Sequence, residues 1–270
     1  MIIDNIKLHT EKEFTMRYGL IGERLGHSFS KIIHEKLADY TYDLIPLSKE
    51  EFQVFMSQKN FNAINVTIPY KCDVIPYLTT LDASAKSIGA VNAIVNRDGI
   101  LTGYNTDYSG FLYTLKKHNI KVEGQKVLVL GFGGASKAVL AVLNDLHAGE
   151  IIIANRSQKD GVITYEEAIQ LHSDATIIIN TTPVGMFPNV DASPIDLSPF
   201  TSLTAVVDII YNPLTTKLLH DARKHDILAV NGLEMLIAQA KYAVEYFTDT
   251  KIPDNVIETI RIELEKELEE

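Results

Sequence analysis

Short apolar runs rich in β-branched residues alternate with longer helical patterns through most of the chain. Neither a fixed-period repeat nor a low-complexity tract interrupts this alternation. Strands that alternate with helices pack as a mainly parallel sheet covered by helices, so the sequence predicts an α/β protein. The chain has 270 residues, of which 46% are hydrophobic, enough to fill one large core or two modest ones, and we expect two domains.

The first part of the chain predicts a sheet that includes a hairpin. Ser48 and Glu51 have the spacing of a capping box, which predicts a helix that continues to about Lys59. Asp98-Gly99 is the kind of pair that forms a tight turn between two paired strands. The predicted strands are Tyr18 to Ile21, Tyr42 to Leu47, Ala63 to Thr67 and the two strands of a hairpin within Ala93 to Tyr104.

A change of pattern near Thr106 predicts a junction between two domains. Beyond it, a predicted helix through His118 is followed by strands whose residues are nearly all apolar, which is typical of parallel strands buried on both faces. These strands are Val127 to Leu130, Ile151 to Ala154, Thr176 to Ile179, Ala205 to Ile209 and Leu228 to Val230, with helices at Ser136 to Leu146, Thr164 to Leu171 and Thr215 to His225. We therefore expect a doubly wound parallel-sheet domain over residues 107–238.

Two helical patterns close the chain. One follows Asn231-Gly232 and continues to about Phe247, and the other is amphipathic and runs from Asn255 to Leu268. These helices need a surface to cover, and the simplest arrangement is that the chain crosses back to the first domain. We expect residues 239–270 to complete the domain formed by residues 1–106, which leaves a cleft between two lobes that suits two ligands brought face to face.

A glycine-rich turn follows the first strand of the second domain directly. The turn reads Gly131-Phe132-Gly133-Gly134-Ala135-Ser136 and leads into an apolar helix. This strand-turn-helix order is the context of a dinucleotide-binding fingerprint, in which glycines let the backbone approach a pyrophosphate at a helix N-terminus. Ser136 stands where the third glycine of the pattern would be, and its small side chain still allows close helix packing. We predict a Rossmann-like domain that binds a dinucleotide through residues 131–135.

The end of the second strand of this domain indicates which dinucleotide binds. An enzyme that uses NAD usually has an acid there, which accepts from the ribose 2′-OH, but this chain has Asn155-Arg156-Ser157. Arg156, with Ser157 and Lys159, can neutralise and hydrogen-bond a 2′-phosphate, although the nearby Asp160 opposes this field. The sequence therefore favours NADP over NAD.

Four polar clusters lie where elements of the first lobe begin or end: Gly26 to Ser30, Asn65 to Lys71, Gly89 to Asn92 and Gly103 to Asp107. Each has an ordinary alternative, with Ser30 or Thr106 as a helix cap, Asp107 as an acid in a first helical turn, and Lys71 as a solvated amine. Together they supply hydroxyls, an amide, a carboxylate and an amine. Such a set suits a small, polyhydroxylated, anionic ligand.

At these residues the sequence closely resembles the shikimate dehydrogenase family, which reduces 3-dehydroshikimate to shikimate with NADPH. The resemblance covers nearly the whole chain after Arg17. The matching segments are Ser28-Phe29-Ser30, Asn65 to Lys71, Gly89 to Asn92, Asn105-Thr106-Asp107, Asn180 to Met186, Asp208 to Pro213 and Gly232 to Ala240. It implies an N-terminal α/β substrate domain, a Rossmann-like NADP domain and C-terminal helices that return to the first domain.

The resemblance also implies roles for particular residues. Lys71 and Asp107 would be the catalytic pair, with Lys71 as the proton donor and acceptor. The substrate-binding residues would be Ser28, Ser30 and Tyr211 at the carboxylate, and Thr67, Asn92, Asp107 and Gln239 at the ring hydroxyls. The cofactor-binding residues would include Asn155, Arg156, Ser157, Gln158, Lys159 and Asp160 at the adenosine phosphate, and Ile209, Gly232 and Met235 beside the nicotinamide.

The sequence departs from the family pattern at two positions near the site. Lys31 stands where proline is common, and Ala93 stands where threonine is common, but neither change removes a proposed ligand. The alternatives are a quinate or shikimate dehydrogenase that uses NAD, an amino-shikimate relative, and a non-catalytic sensor that binds NADP(H). The presence of both Lys71 and Asp107 disfavours the sensor, which needs neither residue.

Charge and composition disfavour several other classes of function. The formal net charge of −10 repels phosphate backbones and anionic lipid, so we expect no nucleic-acid or membrane partner. No apolar run approaches the length of a membrane span, and the histidines show no metal-ligand spacing. The single Cys72 cannot form an internal disulfide, which favours a reducing cytoplasm. We expect a monomer or homodimer, with no secretory signal and no function in residues 1–16.

Overall fold

The computed structural model describes residues 18–26, 28–157 and 161–269. These residues form two six-stranded sheets, one after the other along the chain, with helices packed against both. The predicted α/β class is confirmed, with a doubly wound parallel sheet in the second half. The division into residues 1–106 with 239–270 and residues 107–238 stays a prediction.

The first sheet is mixed. Its strands are β1 (Tyr18–Gly22), β2 (Tyr42–Pro46), β3 (Ala63–Val66), β4 (Thr80–Leu81), β5 (Ala93–Arg97) and β6 (Ile100–Tyr104), with helices α1 (Phe29–Leu37), α2 (Lys49–Gln58) and α3 (Ala83–Ile88) and a 3₁₀ turn at Ile75–Tyr77. The strand order is β2-β1-β3-β5-β6-β4, and only β5 runs opposite to its neighbours. The ends of β1, β3 and β6 therefore share one edge with the beginning of β5.

The structure confirms the predicted capping box and the predicted hairpin turn in this half of the chain. Ser48 accepts from the Glu51 backbone N–H at 3.3 Å, while the Glu51 carboxylate accepts from the Ser48 N–H at 2.8 Å, which is the predicted capping box. The hairpin of β5 and β6 turns at Asp98 and Gly99, both of which have positive φ. The short elements β4 and α3 were not predicted.

The second sheet is entirely parallel. Its elements are α4 (Thr106–Lys117), β7 (Lys126–Leu130), α5 (Gly134–Asp145), β8 (Glu150–Asn155), β9 (Ile163–Thr164), α6 (Tyr165–Leu171), β10 (Ile177–Asn180), β11 (Ala205–Asp208), α7 (Lys217–Lys224) and β12 (Leu228–Val230). The strand order is β12-β11-β10-β7-β8-β9, so successive strands grow outward first on one side of β7 and then on the other. This is the Rossmann order, whose ligand crevice lies at the switch point between β7 and β10.

The apolar composition of the central strands follows from burial on both faces. Val127 and Val129 of β7 pack in one core with side chains of α4 and α5, such as Phe111 and Val139. Leu128 and Leu130 point the other way into a core that includes Leu218 and Leu219 of α7. Alternate residues of one strand thus enter different cores, which explains why residues 127–130 are all apolar.

The closing helices α8 (Leu233–Thr248) and α9 (Asn255–Glu269) connect the two halves. Met235, near the start of α8, belongs to a core of the second sheet, whereas Phe247, near its end, packs with Leu20 and Tyr42 of the first sheet. Helix α9 covers α8 and α1 through an apolar stripe that includes Ile257. The predicted return of the chain to its first domain is therefore confirmed. No helix in the described ranges is both long and apolar enough to cross a membrane.

Candidate active site

Sheet topology brings the four polar clusters of the first lobe to one edge. Thr67 follows the end of β3, and Ser28 lies in the loop that leaves the end of β1. Because β5 runs the opposite way, Asn92 reaches the same edge from just before the start of that strand. Asp107 lies two residues into α4, which follows the end of β6. Residues that are distant along the chain therefore face one cavity.

Lys71 and Asp107 form an ion pair in this cavity. The Lys71 Nζ lies 2.6 Å from Oδ2 of Asp107, although the two residues are 36 positions apart in the sequence. The side chains are 22% and 16% exposed, so the pair is shielded from bulk solvent but remains open to a ligand. A charge-assisted hydrogen bond of this length fixes the amine at the cavity wall.

Asn92 holds the carboxylate of Asp107 from a buried position. Its side-chain amide donates to Oδ1 of Asp107 at 2.9 Å, and its carbonyl oxygen accepts from the Thr106 backbone N–H at 2.7 Å. The carboxamide of Asn65 in turn donates to the Asn92 backbone carbonyl at 3.0 Å and accepts from the Tyr42 hydroxyl at 2.7 Å. A buried chain of hydrogen bonds thus sets the orientation of Asp107.

The cavity around this pair has a volume of about 400 Å³. It is lined by all the residues predicted to bind substrate, namely Ser28, Ser30, Thr67, Lys71, Asn92, Asp107, Tyr211 and Gln239. Ser28 caps α1 by accepting from the Ser30 backbone N–H at 3.3 Å, and its hydroxyl proton remains available to a ligand. Burial raises the pKa of Tyr211, so its hydroxyl stays protonated and can donate near neutral pH.

Residues of the second lobe form the opposite wall of the same cavity. Ala135 comes from the glycine-rich turn, Ile209 follows β11, and Gly232 and Met235 lie at the start of α8. A Cβ at position 232 would lie 1.9 Å from the Ile209 carbonyl oxygen, so only glycine allows this close approach of two backbone segments. The wall beside Lys71 therefore belongs to both lobes.

The glycine-rich turn leaves an open cradle at the N-terminus of α5. Gly131 has φ +100°, and a Cβ there would lie 2.8 Å from Oγ1 of Thr181, so this position requires glycine. At Gly133 and Gly134 a Cβ would meet no atom within 4 Å, and α5 has no side-chain cap. The first N–H groups of α5 thus face open space, which suits a phosphate. Ser136 is buried and donates to the Gly133 carbonyl at 2.7 Å.

A second cavity of about 450 Å³ continues from this cradle. Gly131, Phe132 and Gly133 line one side, and Asn155 and Arg156 line another. No acid from the described residues lines this cavity, so Arg156 dominates its charge. Backbone amides together with an unopposed guanidinium are the donor set that a dinucleotide carrying an additional phosphate requires.

Asp208 is linked to lining residues of both cavities. Its buried carboxylate accepts from Asn180 at 3.0 Å and from Thr216 at 2.7 Å, while Asn180 accepts from Thr182. Burial raises the pKa of Asp208 to about 6. Because Ile209 follows it directly, Asp208 connects the wall beside Lys71 with the loop opposite Gly131.

Comparison with known proteins decides the family. Residues 20–94 match the model of the shikimate dehydrogenase substrate binding domain. The shikimate dehydrogenase (NADP(+)) of Clostridium perfringens is 37% identical over 265 residues, which cover 92% of this chain and 97% of that protein. The chain belongs to the shikimate dehydrogenase family.

Solved structures of the family have the same fold. A chorismate mutase/shikimate 5-dehydrogenase fusion protein from Clostridium acetobutylicum superposes with a TM-score of 0.88 at 37% identity, over 94% of this chain and 99% of that chain. Shikimate 5-dehydrogenase from Thermus thermophilus, solved in complex with NADP(H) and shikimate, gives a TM-score of 0.81 at 28% identity, over 92% and 99% of the two chains. NADP is the cofactor of these named relatives.

Some residues predicted to bind the cofactor of this shikimate dehydrogenase family member do not line either cavity. Gly134 is the first residue of α5 but lines neither cavity, and Ser157 also lines neither. Gln158, Lys159 and Asp160, predicted at the adenosine phosphate, lie outside the described residues, as do residues 1–16. The two helix-cap alternatives were wrong, because Ser28 caps α1 instead of Ser30 and Asn105 caps α4 instead of Thr106.

Sequence reasoning also missed residues that line the cavities of this family member. Thr181 and Thr182, which follow β10, line the second cavity, and Arg24 lines the first. The segment from Asn180 to Met186 matched the family pattern but received no role. Its position after the strand next to β7 was the signal, since ligands bind where the strand order reverses.

Proposed function

We propose that this protein catalyses the reversible NADPH-dependent reduction of 3-dehydroshikimate to shikimate, with Lys71 and Asp107 as the proton-transferring pair. Family membership supports the reaction and the cofactor. The observation that carries the residue assignment is the 2.6 Å contact between Lys71 and Asp107 in a cavity whose other wall is Ile209, Gly232 and Met235. A carbonyl held between these walls has a proton donor on one side.

The chain supplies the proton, and bound NADPH supplies a hydride. The Lys71 ammonium donates a hydrogen bond to the substrate carbonyl oxygen, stabilises the negative charge that develops on it, and transfers a proton to give the hydroxyl. In the reverse reaction the neutral Lys71 amine removes the hydroxyl proton. Asp107 accepts a hydrogen bond from Lys71 and thereby orients the amine toward the substrate.

We assign the remaining cavity residues to substrate binding. The hydroxyls of Ser28, Ser30 and Tyr211 are neutral donors and suit the substrate carboxylate. The residues assigned to the ring hydroxyls are Thr67, Asn92, Asp107 and Gln239. Gln239 already accepts from Thr106 at 3.5 Å and donates to the Leu236 carbonyl at 2.9 Å, so its carboxamide is oriented before substrate arrives.

The cofactor has a matching set of residues in the other lobe. The turn from Gly131 to Ala135 and the N-terminus of α5 would hold the pyrophosphate, and Asn155 and Arg156 would hold the adenosine end with its additional phosphate. Ser157 to Asp160 would complete this end. Ile209, Gly232 and Met235 would lie beside the nicotinamide.

We propose that residues 1–106 with 239–270 form the substrate domain and residues 107–238 the dinucleotide-binding domain. The limit at 106/107 coincides with the first turn of α4, directly after β6. We further expect a monomer or homodimer in a reducing cytoplasm, where the single Cys72, which is exposed, remains a thiol.

A spectrophotometric assay of NADP reduction by shikimate tests this function. With shikimate as substrate, the purified protein should reduce NADP faster than NAD. With either cofactor, its rate should be higher with shikimate than with quinate. A preference for NAD and quinate would identify the other dehydrogenase activity of the same fold. Protein that binds NADPH but never oxidises it with 3-dehydroshikimate would be a sensor and not an enzyme.

A further inference from the structure

Arg24 brings a guanidinium group to the wall of the cavity that contains Lys71 and Asp107. It lies in the loop between β1 and α1, and its side chain is exposed. Within the described part of the chain this guanidinium makes neither a hydrogen bond nor an ion pair. A planar guanidinium whose donors are not taken up by the described residues can offer them to a carboxylate.

Arg24 determines the net charge of the cavity lining among the described residues. Among the described residues that line it, the only other charged groups are Lys71 and Asp107, which neutralise each other at 2.6 Å. Arg24 therefore sets the net positive charge of the lining, in a molecule with a formal charge of −10. An acidic substrate must enter against this overall field and lose part of its hydration, which neutral hydroxyls alone compensate poorly.

The loop that carries Arg24 is anchored beside the proposed ring-binding residues. A Cβ at Gly22 would lie 2.6 Å from Cγ2 of Thr67 and 2.9 Å from Cδ2 of Leu25, so the loop packs closely against the end of β3. The Glu23 backbone N–H donates to the Ile68 carbonyl at 3.3 Å and fixes the residue before Arg24. The two residues before Arg24 are thus held against the end of β3, and Arg24 itself lines the cavity.

We propose that Arg24 is a specificity-determining residue that binds the substrate carboxylate together with Ser28, Ser30 and Tyr211. This inference rests on the proposed function, since it names the charged contact that selects acids over their neutral analogues at the same site. It also predicts that the KM for shikimate rises with ionic strength, because an exposed charge pair is screened by salt.

The experiment measures the KM for shikimate and for its neutral methyl ester in the natural protein, in Arg24→Gln and in Arg24→Lys. Arg24→Gln should raise the KM for shikimate about tenfold, the effect of losing one charge-assisted hydrogen bond, and reduce its salt dependence. The KM for the methyl ester and the KM for NADP should change less than about twofold, because Arg24 makes no charged contact with either ligand. Arg24→Lys should be intermediate, because it keeps the charge without the planar fork. The dissociation constant of shikimate, measured by calorimetry, should follow the same order.

Arg97→Gln is the matched control, because it removes an exposed guanidinium that lines neither cavity. It should leave both KM values unchanged. An unchanged KM and dissociation constant for shikimate in Arg24→Gln would overturn the proposal, as would equal losses for acid and ester. A rise in the KM for NADP alone would assign Arg24 to a cofactor phosphate and also overturn it. Failure of the unmodified protein to oxidise shikimate would instead contradict the proposed function.

Discussion

Asn92 donates its side-chain amide to Oδ1 of Asp107 at 2.9 Å, which leaves Oδ2 to accept from Lys71 at 2.6 Å. The two oxygens of one carboxylate therefore have separate partners, one buried and one facing the cavity. Since Asn92 is only 3% exposed and is itself fixed by Asn65 and Thr106, the carboxylate cannot rotate freely. This arrangement prepares the Lys71 amine before a ligand binds.

Replacing Lys71 by alanine should lower kcat about 100-fold or more, the usual effect of losing a general acid. Asp107 remains held by Asn92, so NADP binding should be nearly unchanged when measured by calorimetry. Lys86→Ala, an exposed lysine on α3 outside both cavities, is the matched control and should keep full activity. If Lys71→Ala retains most of its kcat, another group transfers the proton.

Ser28→Ala should raise the KM for shikimate about tenfold and leave kcat nearly unchanged, because the contact with a carboxylate is made equally in the ground and transition states. The same change removes the cap of α1 and should cost about 1 kcal/mol of stability. Ser48→Ala removes the cap of α2, at a residue that lines neither cavity, so it should cost stability without changing the KM for shikimate. A fall in kcat at constant KM would show that Ser28 has a different role.

Arg156→Gln should raise the KM for NADP about tenfold and leave the KM for NAD within about twofold, since only NADP carries the 2′-phosphate. Arg223→Gln, an exposed arginine on α7 outside both cavities, makes the same change in net charge and should alter neither value. Initial rates with each cofactor measure both constants. An unaltered NADP-to-NAD preference in Arg156→Gln would locate phosphate recognition elsewhere.

Asp208 should make the protein less stable as the pH rises. Its pKa is 3.8 in the unfolded chain and about 6 when buried, so between these values the folded protein holds a proton that the unfolded chain has released. The stabilising contribution of the protonated carboxyl is present below pH 3.8 and is lost as the pH rises through 6. The loss amounts to about 3 kcal/mol, and Asp208→Asn, which is always neutral, should not show it.

Urea unfolding of both proteins at a series of pH values measures this difference. The free energy of unfolding of the natural protein should fall relative to that of Asp208→Asn between pH 3.8 and about 6. Above this range the difference between the two proteins should stay constant. Asp196→Asn is the control with the opposite sign, because hydrogen bonds from Ser198 lower the pKa of this exposed carboxyl. A difference between the natural protein and Asp208→Asn that does not vary with pH would mean that Asp208 titrates normally.

Local and periodic signals predicted the elements well. The strand from Val127 to Leu130 was predicted because a strand buried on both faces contains apolar residues at every position. The helix beginning after Ser48 was predicted because its cap lies within four residues of sequence. The two-residue strands β4 and β9 escaped prediction, since their existence depends on a neighbouring strand and not on their own composition.

The site was predicted less completely, because its assembly depends on strand order. Helix caps were misplaced by one or two residues, since Ser28 and Ser30 have the same capping chemistry and only the backbone angles decide between them. Thr181 was missed because the signal for it lies in the strand order, which places the end of β10 beside the end of β7, and Arg24 was missed because no motif in the sequence marks it. The Tyr42 hydroxyl, 23 positions from Asn65, belongs to the same class of long-range contact.

The Lys71–Asp107 ion pair and the guanidinium of Arg156 line separate cavities. Substitutions in the few residues after β8 can therefore change which nicotinamide cofactor this scaffold uses. The residues around Lys71 and Asp107 need not change with them. Coenzyme preference and reaction type behave as independent traits in such a molecule, and an engineer could exchange the first without redesigning the second.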